Sequence, residues 1–270
     1  MSDFKSVSDM LPNAKSSNSI NLEELFVQKF NKTIIKTKYG QCEMCGNKGQ
    51  IAFFENGKAV FRKCRCYNFR KAREKLEWVG LFEILKKHPT IDKFSNDEEW
   101  EKVVNAQLKD YIDNNELTHW LYLGGQNGSG KTTKGTLAFY NIVKKNTDLT
   151  IDYLLWDTSW QTLIPPKDPS KTNPDMDALL DVDVLYIDDF LRHRDGNKMS
   201  NYERDVAKQL IDYRYRHNKL TIISSELLYS ELKNLDEAIA SRIYEKCKKS
   251  KFVLSIGRDA KRNYREREEE

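Results

Sequence analysis

Gly125-Gln126-Asn127-Gly128-Ser129-Gly130-Lys131-Thr132 fits G-x-x-x-x-G-K-[ST] at every fixed position. Such a loop suits a polyphosphate. Its glycines let successive main-chain N–H groups curl around the anion, and the helix that follows aims its positive end at the same charge. Lys131 is placed to reach the β- and γ-phosphates and the Thr132 hydroxyl to ligate Mg²⁺, with Thr133 as the next nucleotide contact. Downstream, Val184-Leu185-Tyr186-Ile187 is an apolar run ending in Asp188 and Asp189. A buried strand that delivers carboxylates to a sheet edge suits hydrolysis: Asp188 would hold Mg²⁺ through water, and Asp189 would polarise the attacking water. A further strand-like run ends in Ser224-Ser225-Glu226. Ser225 or Glu226 is the candidate sensor of the γ-phosphate, with a plain strand-end cap as the competing reading. Arg242 lies on an expected helix, where it is either a surface arginine or a finger reaching a neighbouring copy's triphosphate.

Four of the five cysteines form a second constellation, Cys42-x-x-Cys45 and Cys64-x-Cys66, with 18 residues between the pairs. Asn56-Gly57 lies in that interval between two short strand-like runs, 51–54 and 59–61, and predicts a hairpin. Four thiolates gathered by a hairpin match a tetrahedral structural Zn²⁺ site, closed by protein on all four sides and so not catalytic. Cys247 stands alone and reads as a buried apolar residue.

The elements that must position these groups follow from periodicity. Residues 1–20 carry no apolar period and are expected to be a disordered tail. Asn21 with Glu24 opens a short amphipathic helix over 22–30, whose apolar face packs on its own domain or binds a partner. Residues 70–86 read as helical, 87–99 as a linker and 98–113 as helical again, with a domain boundary near 88. Strands are expected at 120–123, 150–155, 182–187, 220–224 and 252–256, with helices to about 145, from 200 to about 217, and over 229–248. The proline-bearing stretch 164–174 reads as a loop, and 263–270 as a frayed, charged tail. Strand alternating with helix predicts a parallel α/β sheet.

The chain has 270 residues, 39% of them apolar, with 45 basic against 41 acidic side chains. A net charge of +4 says little about partners, but its distribution says more. One basic run is Lys58, Arg62, Lys63, Arg65, Arg70, Lys71, Arg73 and Lys75; another is Lys246, Lys248, Lys249 and Lys251. Either run would track nucleic-acid phosphates or form a solvated face. No segment approaches the roughly 18 apolar residues of a membrane span, and the N-terminus has no signal-peptide pattern, so a cytoplasmic location with no membrane partner is expected.

The order of these parts resembles the DnaC/DnaI-like replicative helicase loaders, which are AAA+ ATPases. The likeness covers roughly residues 40–262: the cysteine cluster, Thr90-Ile91-Asp92-Lys93-Phe94, Gly-x-Gly-Lys-Thr, Ile-Asp-Asp, Ile-Ser-Ser-Glu and Ser-Arg-Ile. The zinc portion is closer to the DnaI branch and to phage-encoded loaders. The resemblance implies a P-loop AAA+ core over 89–262, with a parallel five-stranded sheet flanked by helices and no lid domain. Before it would stand a small zinc-ribbon-like domain over 21–88 that docks on the helicase. It implies ATP, Mg²⁺ and Zn²⁺ as cofactors, Lys131, Asp188, Asp189 and Arg242 as the hydrolytic set, and Ser225 and Glu226 as the sensor region. Glu226 departs from the Asn usual there. Gly257-Arg258-Asp259-Ala260-Lys261 departs from a Gly-x-Asp-x-Arg ending by its lysine. The implied activity is ATP-dependent loading of a DnaB-type replicative helicase onto single-stranded DNA, with self-association through the AAA+ domain. The alternatives are an IstB-like transposition helper ATPase and a non-hydrolysing ATP-binding adaptor that modulates a helicase.

Overall fold

The computed structural model describes residues 21–168, 170–192 and 199–266. The expected tail 1–20 and residues 267–270 lie outside that range. The chain divides into two units, at residues 74 and 75. The expected boundary near 88 is therefore displaced, because Leu76, Leu81, Phe82 and Leu85 are core residues of the second unit.

In the first unit, the Asn21 side chain accepts from the Glu23 amide at 3.1 Å and caps helix α1 (Leu22–Lys32). Strands β1 (Gln50–Glu55) and β2 (Lys58–Lys63) pair antiparallel, with Glu55 opposite Lys58. Asn56 and Gly57 both have positive φ (50° and 79°), as a two-residue hairpin turn that matches strand twist requires. Phe26 and Phe30 of α1 pack edge-on against Phe61, at 6.2 and 5.1 Å between ring centroids. The aromatic part of the α1 face thus packs within its own unit, while Leu22 and Leu25 stay exposed. Helix α2 (Tyr67–Trp78) follows.

The second unit continues through α3 (Phe82–Lys87), α4 (Glu99–Asn114), β3 (Leu121–Gly125) and α5 (Lys131–Lys145). Next come β4 (Ile151–Leu155), α6 (Trp156–Ser159), α7 (Pro174–Asp181), β5 (Val184–Asp188) and α8 (Asn201–Arg216). The unit ends with β6 (Leu220–Ser225), α9 (Tyr229–Leu235), α10 (Glu237–Lys246) and β7 (Val253–Ile256). The five strands are parallel in the order β4-β5-β6-β3-β7. Strands β3, β5 and β6 are buried throughout, which explains their unbroken apolar runs in place of alternation. Because β6 lies between β3 and β5, three strand ends converge on one edge: Gly125, Asp188 and Ser225. A strand-order reversal of this kind opens a crevice at the carboxyl ends of the strands.

Several elements differ from expectation for local reasons. The helix read over 70–86 is broken at Gly80, which adopts φ 81°. Residues 229–248 form two helices, because Asp236 leaves the helical region and caps α10 through the Ile239 amide at 3.0 Å. Pro174, read as loop, occupies the first turn of α7, where its missing N–H costs nothing. Strand β5 starts at Val184 because Val182 closes α7.

Candidate nucleotide and metal sites

Strand β3 ends at Gly125, which has φ 115° and no room for a side chain: a Cβ there would lie 2.0 Å from the Ile256 carbonyl oxygen. The loop then turns back on itself, with Ser129 Oγ donating to the Gln126 carbonyl at 2.7 Å and the Gly128 amide to Asn127 Oδ1 at 2.8 Å. Gly130, in the left-handed region, is the last residue before α5. Lys131 is buried, and its Nζ donates to the Gly125 and Gln126 carbonyls at 3.0 and 2.8 Å. Burial lowers its pKa, opposed by the carboxylates of Glu226, Asp189 and Asp188.

Asp188, at the end of β5, collects four hydroxyl groups. Thr132 Oγ1, Tyr186 Oη and Ser224 Oγ donate to Oδ1, the first two at 3.1 Å, and Tyr153 Oη donates to Oδ2 at 3.1 Å. Gly135 makes this possible: a Cβ there would come within 2.4 Å of the Tyr186 hydroxyl. Burial raises the Asp188 pKa, and the hydroxyls only partly oppose it. Among the described residues no cation pairs with this carboxylate. A buried carboxylate beside a threonine hydroxyl is a donor set that suits Mg²⁺. Asp189, next in the chain, holds φ 53°, an unusual conformation for a residue with a side chain. Its carboxylate faces Arg192, whose Nη1 lies 3.0 Å away, while Arg192 Nε lies 3.1 Å from Glu226.

Ser225 does not join this group. Its Oγ donates to the Phe190 carbonyl at 2.7 Å, and the serine that meets Asp188 is Ser224. Successive strand residues face opposite sides, so Ser224 and Ser225 point to opposite faces of β6. Glu226 is near the site, tied to Arg192. Arg242 lies elsewhere on the unit: its Nε is 2.7 Å from Asp212, and Nη1 donates to the Ala238 carbonyl.

A cavity of about 460 Å³ joins the phosphate loop and Asp189 to His88, Lys93, Phe94, Ser95, Lys134, Tyr264 and Arg265. Two segments misread from the sequence build its walls. The expected linker carries His88 and Phe94, whose rings stack at 5.3 Å. The expected frayed end is hydrogen-bonded to the phosphate loop, with the Tyr264 amide donating to the Gly128 carbonyl at 3.0 Å. Neither segment has the apolar period that announces a packed element; Phe94 and Tyr264, each isolated among polar residues, were the available hints.

In the first unit the Sγ atoms of Cys42, Cys45, Cys64 and Cys66 all lie within 4.8 Å of one another. The Cys42–Cys64 and Cys45–Cys66 separations are 3.8 and 3.5 Å. A tetrahedron with Zn–S bonds of about 2.3 Å has edges of about 3.8 Å, so the four thiols fit zinc. The hairpin carries Cys64 and Cys66 to a turn at Glu43–Cys45, and the Gly49 amide donates to Cys45 Sγ at 3.3 Å. Not all of the first basic run is available to a partner. Arg70 and Arg73 donate to the Gly40 and Tyr39 carbonyls, and Arg62 pairs with Glu55. In the second run, Lys251 pairs with Asp110 at 2.8 Å. Among the described residues no helix is long and apolar enough to cross a membrane.

No protein-family model matches the chain. It is 31% identical over 134 residues to the uncharacterized protein YqaM of Bacillus subtilis (strain 168), a match spanning 49% of this chain and 42% of that one. It is 27% identical over 232 residues to the phage-like element PBSX protein XkdC of the same organism, spanning 76% and 79%. Among solved structures, the DnaC helicase loader superposes with a TM-score of 0.51 at 21% identity, covering 62% of this chain and 96% of that one. DnaI gives 0.47 at 20% identity, covering 67% and 92%. The likeness to the DnaC loader is one of fold: in the second unit a five-stranded parallel sheet is flanked by helices, with the phosphate loop between β3 and α5.

Proposed function

We propose that this chain is an ATP-hydrolysing loader of a DnaB-type replicative helicase, of the kind carried by phages and Gram-positive bacteria. The observation that carries the ATPase half is the convergence of Thr132, Ser224, Tyr153 and Tyr186 on the Asp188 carboxylate, one strand away from the phosphate loop. Thr132 and Asp188 would hold Mg²⁺, which when bound neutralises charge on the β- and γ-phosphates. Lys131 exchanges its two loop carbonyls for phosphate oxygens. Asp189, released from Arg192, orients the attacking water. Catalysis by such a site is positioning and charge stabilisation.

The loader half rests on the fold shared with the DnaC helicase loader, on the match to a protein of a phage-like element, and on the surface of the first unit. That unit exposes Leu22, Leu25, Met44, Phe53 and Phe54, an apolar surface suited to a protein partner. ATP binding orders the assembly on helicase and single-stranded DNA, and hydrolysis releases it. The test is capture of a purified hexameric helicase by the full chain with ATP, with ADP and with Lys131→Ala. Capture that depends on ATP and fails in the variant is expected. Binding to duplex DNA with no helicase capture would replace the loader with the transposition-helper reading.

A further inference from the structure

Helix α5 carries a second lysine, one turn beyond Lys131. Lys134 is 1% exposed, and its side chain lines the same cavity as the phosphate loop. Its Nζ lies 4.5 Å from the centroid of the Phe94 ring and 5.7 Å from that of Tyr264. Among the described residues it is met by those ring faces and by no hydrogen-bond acceptor. Glu101 attracts it electrostatically. The Glu101 carboxylate is engaged elsewhere, however: Oε1 accepts from Tyr264 Oη at 2.8 Å, and Oε2 from Ser95 Oγ and the Asp97 and Glu98 amides. A buried ammonium with ring faces for company is costly where a leucine or methionine would pack freely. Its place on the cavity wall gives that cost a purpose.

The cavity lining includes the charged pair Asp189 and Arg192 and, around Lys134, the rings of Phe94 and Tyr264. The Tyr264 ring lies beside Gly130 of the loop, and an aromatic stretch of lining is the part of such a cavity suited to a base. The chain fixes that stretch to the loop: the Asp259 amide donates to Gln126 Oε1 at 3.1 Å and the Tyr264 amide to the Gly128 carbonyl at 3.0 Å. An ammonium offers three donors and no acceptor, and purine ring nitrogens are acceptors. We propose that Lys134 is the base-reading residue of this site, donating a charged hydrogen bond to a purine ring nitrogen beside the rings of Phe94 and Tyr264. The inference rests on the nucleotide-binding reading above and extends it to a residue outside the phosphate-loop motif.

Burial pushes the Lys134 ammonium down to about 8. The charged and titratable groups around it are Glu101 on α4, His88 and Lys93 on the segment before it, Lys131 on its own helix, and Tyr264 and Arg265 from the C-terminal segment. Calorimetric titration of the full chain with Mg-ADP at pH 7 tests the proposal, comparing wild type with Lys134→Met and Lys134→Arg. At pH 7 Lys134→Met should bind about ten-fold or more weakly, the scale of one charge-assisted hydrogen bond. Lys134→Arg, which keeps a charged donor, should retain more affinity than Lys134→Met. Mg-tripolyphosphate, which has no base, should bind wild type and Lys134→Met equally. Thermal melting should show Lys134→Met at least as stable as wild type, since the substitution removes a buried charge. Equal Mg-ADP affinity in wild type and Lys134→Met would overturn the proposal, as would an equal loss with tripolyphosphate. Failure of wild type to bind Mg-ADP at all would instead sink the nucleotide reading itself.

Discussion

Asp188 shows how a functional demand is written against stability. Its side chain is 2% exposed and accepts from four hydroxyl groups, yet burial still holds its pKa above the ordinary 3.8. A carboxyl whose folded pKa is raised favours the folded state while protonated. That advantage is lost as pH climbs from the ordinary carboxylate range through the raised value. Once pH has passed that raised value, the protein carries a buried charge it would be more stable without. Asp188→Asn should abolish hydrolysis while raising the thermal midpoint of the nucleotide-free protein by a few degrees, given about 2–4 °C per kcal/mol for a unit of this size. Differential scanning calorimetry at neutral pH and at pH 4 checks it, because the gain should shrink at the lower pH. A variant that melts below wild type at neutral pH would contradict the burial argument. The residues of this site that were legible in the sequence are those fixed by contiguous spacing, Gly125 to Thr132 and the Asp188-Asp189 pair. That Ser224 and not Ser225 meets Asp188 was not legible, because a shift of one residue on a strand turns a side chain to the opposite face, and sequence pattern does not fix strand register to that precision.

At the scale of elements, the first unit is a hairpin, two helices and a knot of thiols with little else inside. Among the described residues its buried apolar side chains are Val27, Ala52, Ala72, Cys45 and Cys64, too few to order the unit by burial alone. Zinc held by the four thiols would supply what that core lacks, on the order of 10–16 kcal/mol in zinc-finger peptides. Metal analysis of the purified chain should find about one zinc. Cys45→Ser, or a strong chelator, should make residues before 74 sensitive to protease while the second unit still binds nucleotide. A zinc-free chain with an intact first unit would refute this. The hairpin was readable because Asn-Gly turn chemistry and cysteine spacing are local signals. The segments before α4 and after β7 were not. Their order comes from partners far away in sequence, as when Tyr264 Oη reaches Glu101 across 163 positions. A short polar stretch pinned in this way looks like a linker or a frayed end until the fold is closed.

For the molecule as a whole, the open question is what completes the site from outside. Arg192, in the chain itself, bridges Asp189 and Glu226, so the carboxylate proposed to orient the attacking water is already paired within the chain. Arg242 is held on the same chain by Asp212 at 2.7 Å, with a quarter of its side chain exposed. A pair that keeps part of its arginine in solvent is partly screened and can be exchanged for a stronger partner. If copies assemble side by side, that partner is a neighbour's triphosphate. Turnover per chain should then rise with protein concentration and with added single-stranded DNA. Arg242→Ala should abolish the rise, by up to about 10³-fold in rate, while leaving Mg-ATP affinity in the dilute chain unchanged. Asp212→Ala should do the reverse: with the arginine untied, the concentration dependence shifts to lower protein. Turnover that is independent of concentration, and equal in wild type and Arg242→Ala, would return Arg242 to the surface-arginine reading and leave hydrolysis to residues of a single chain.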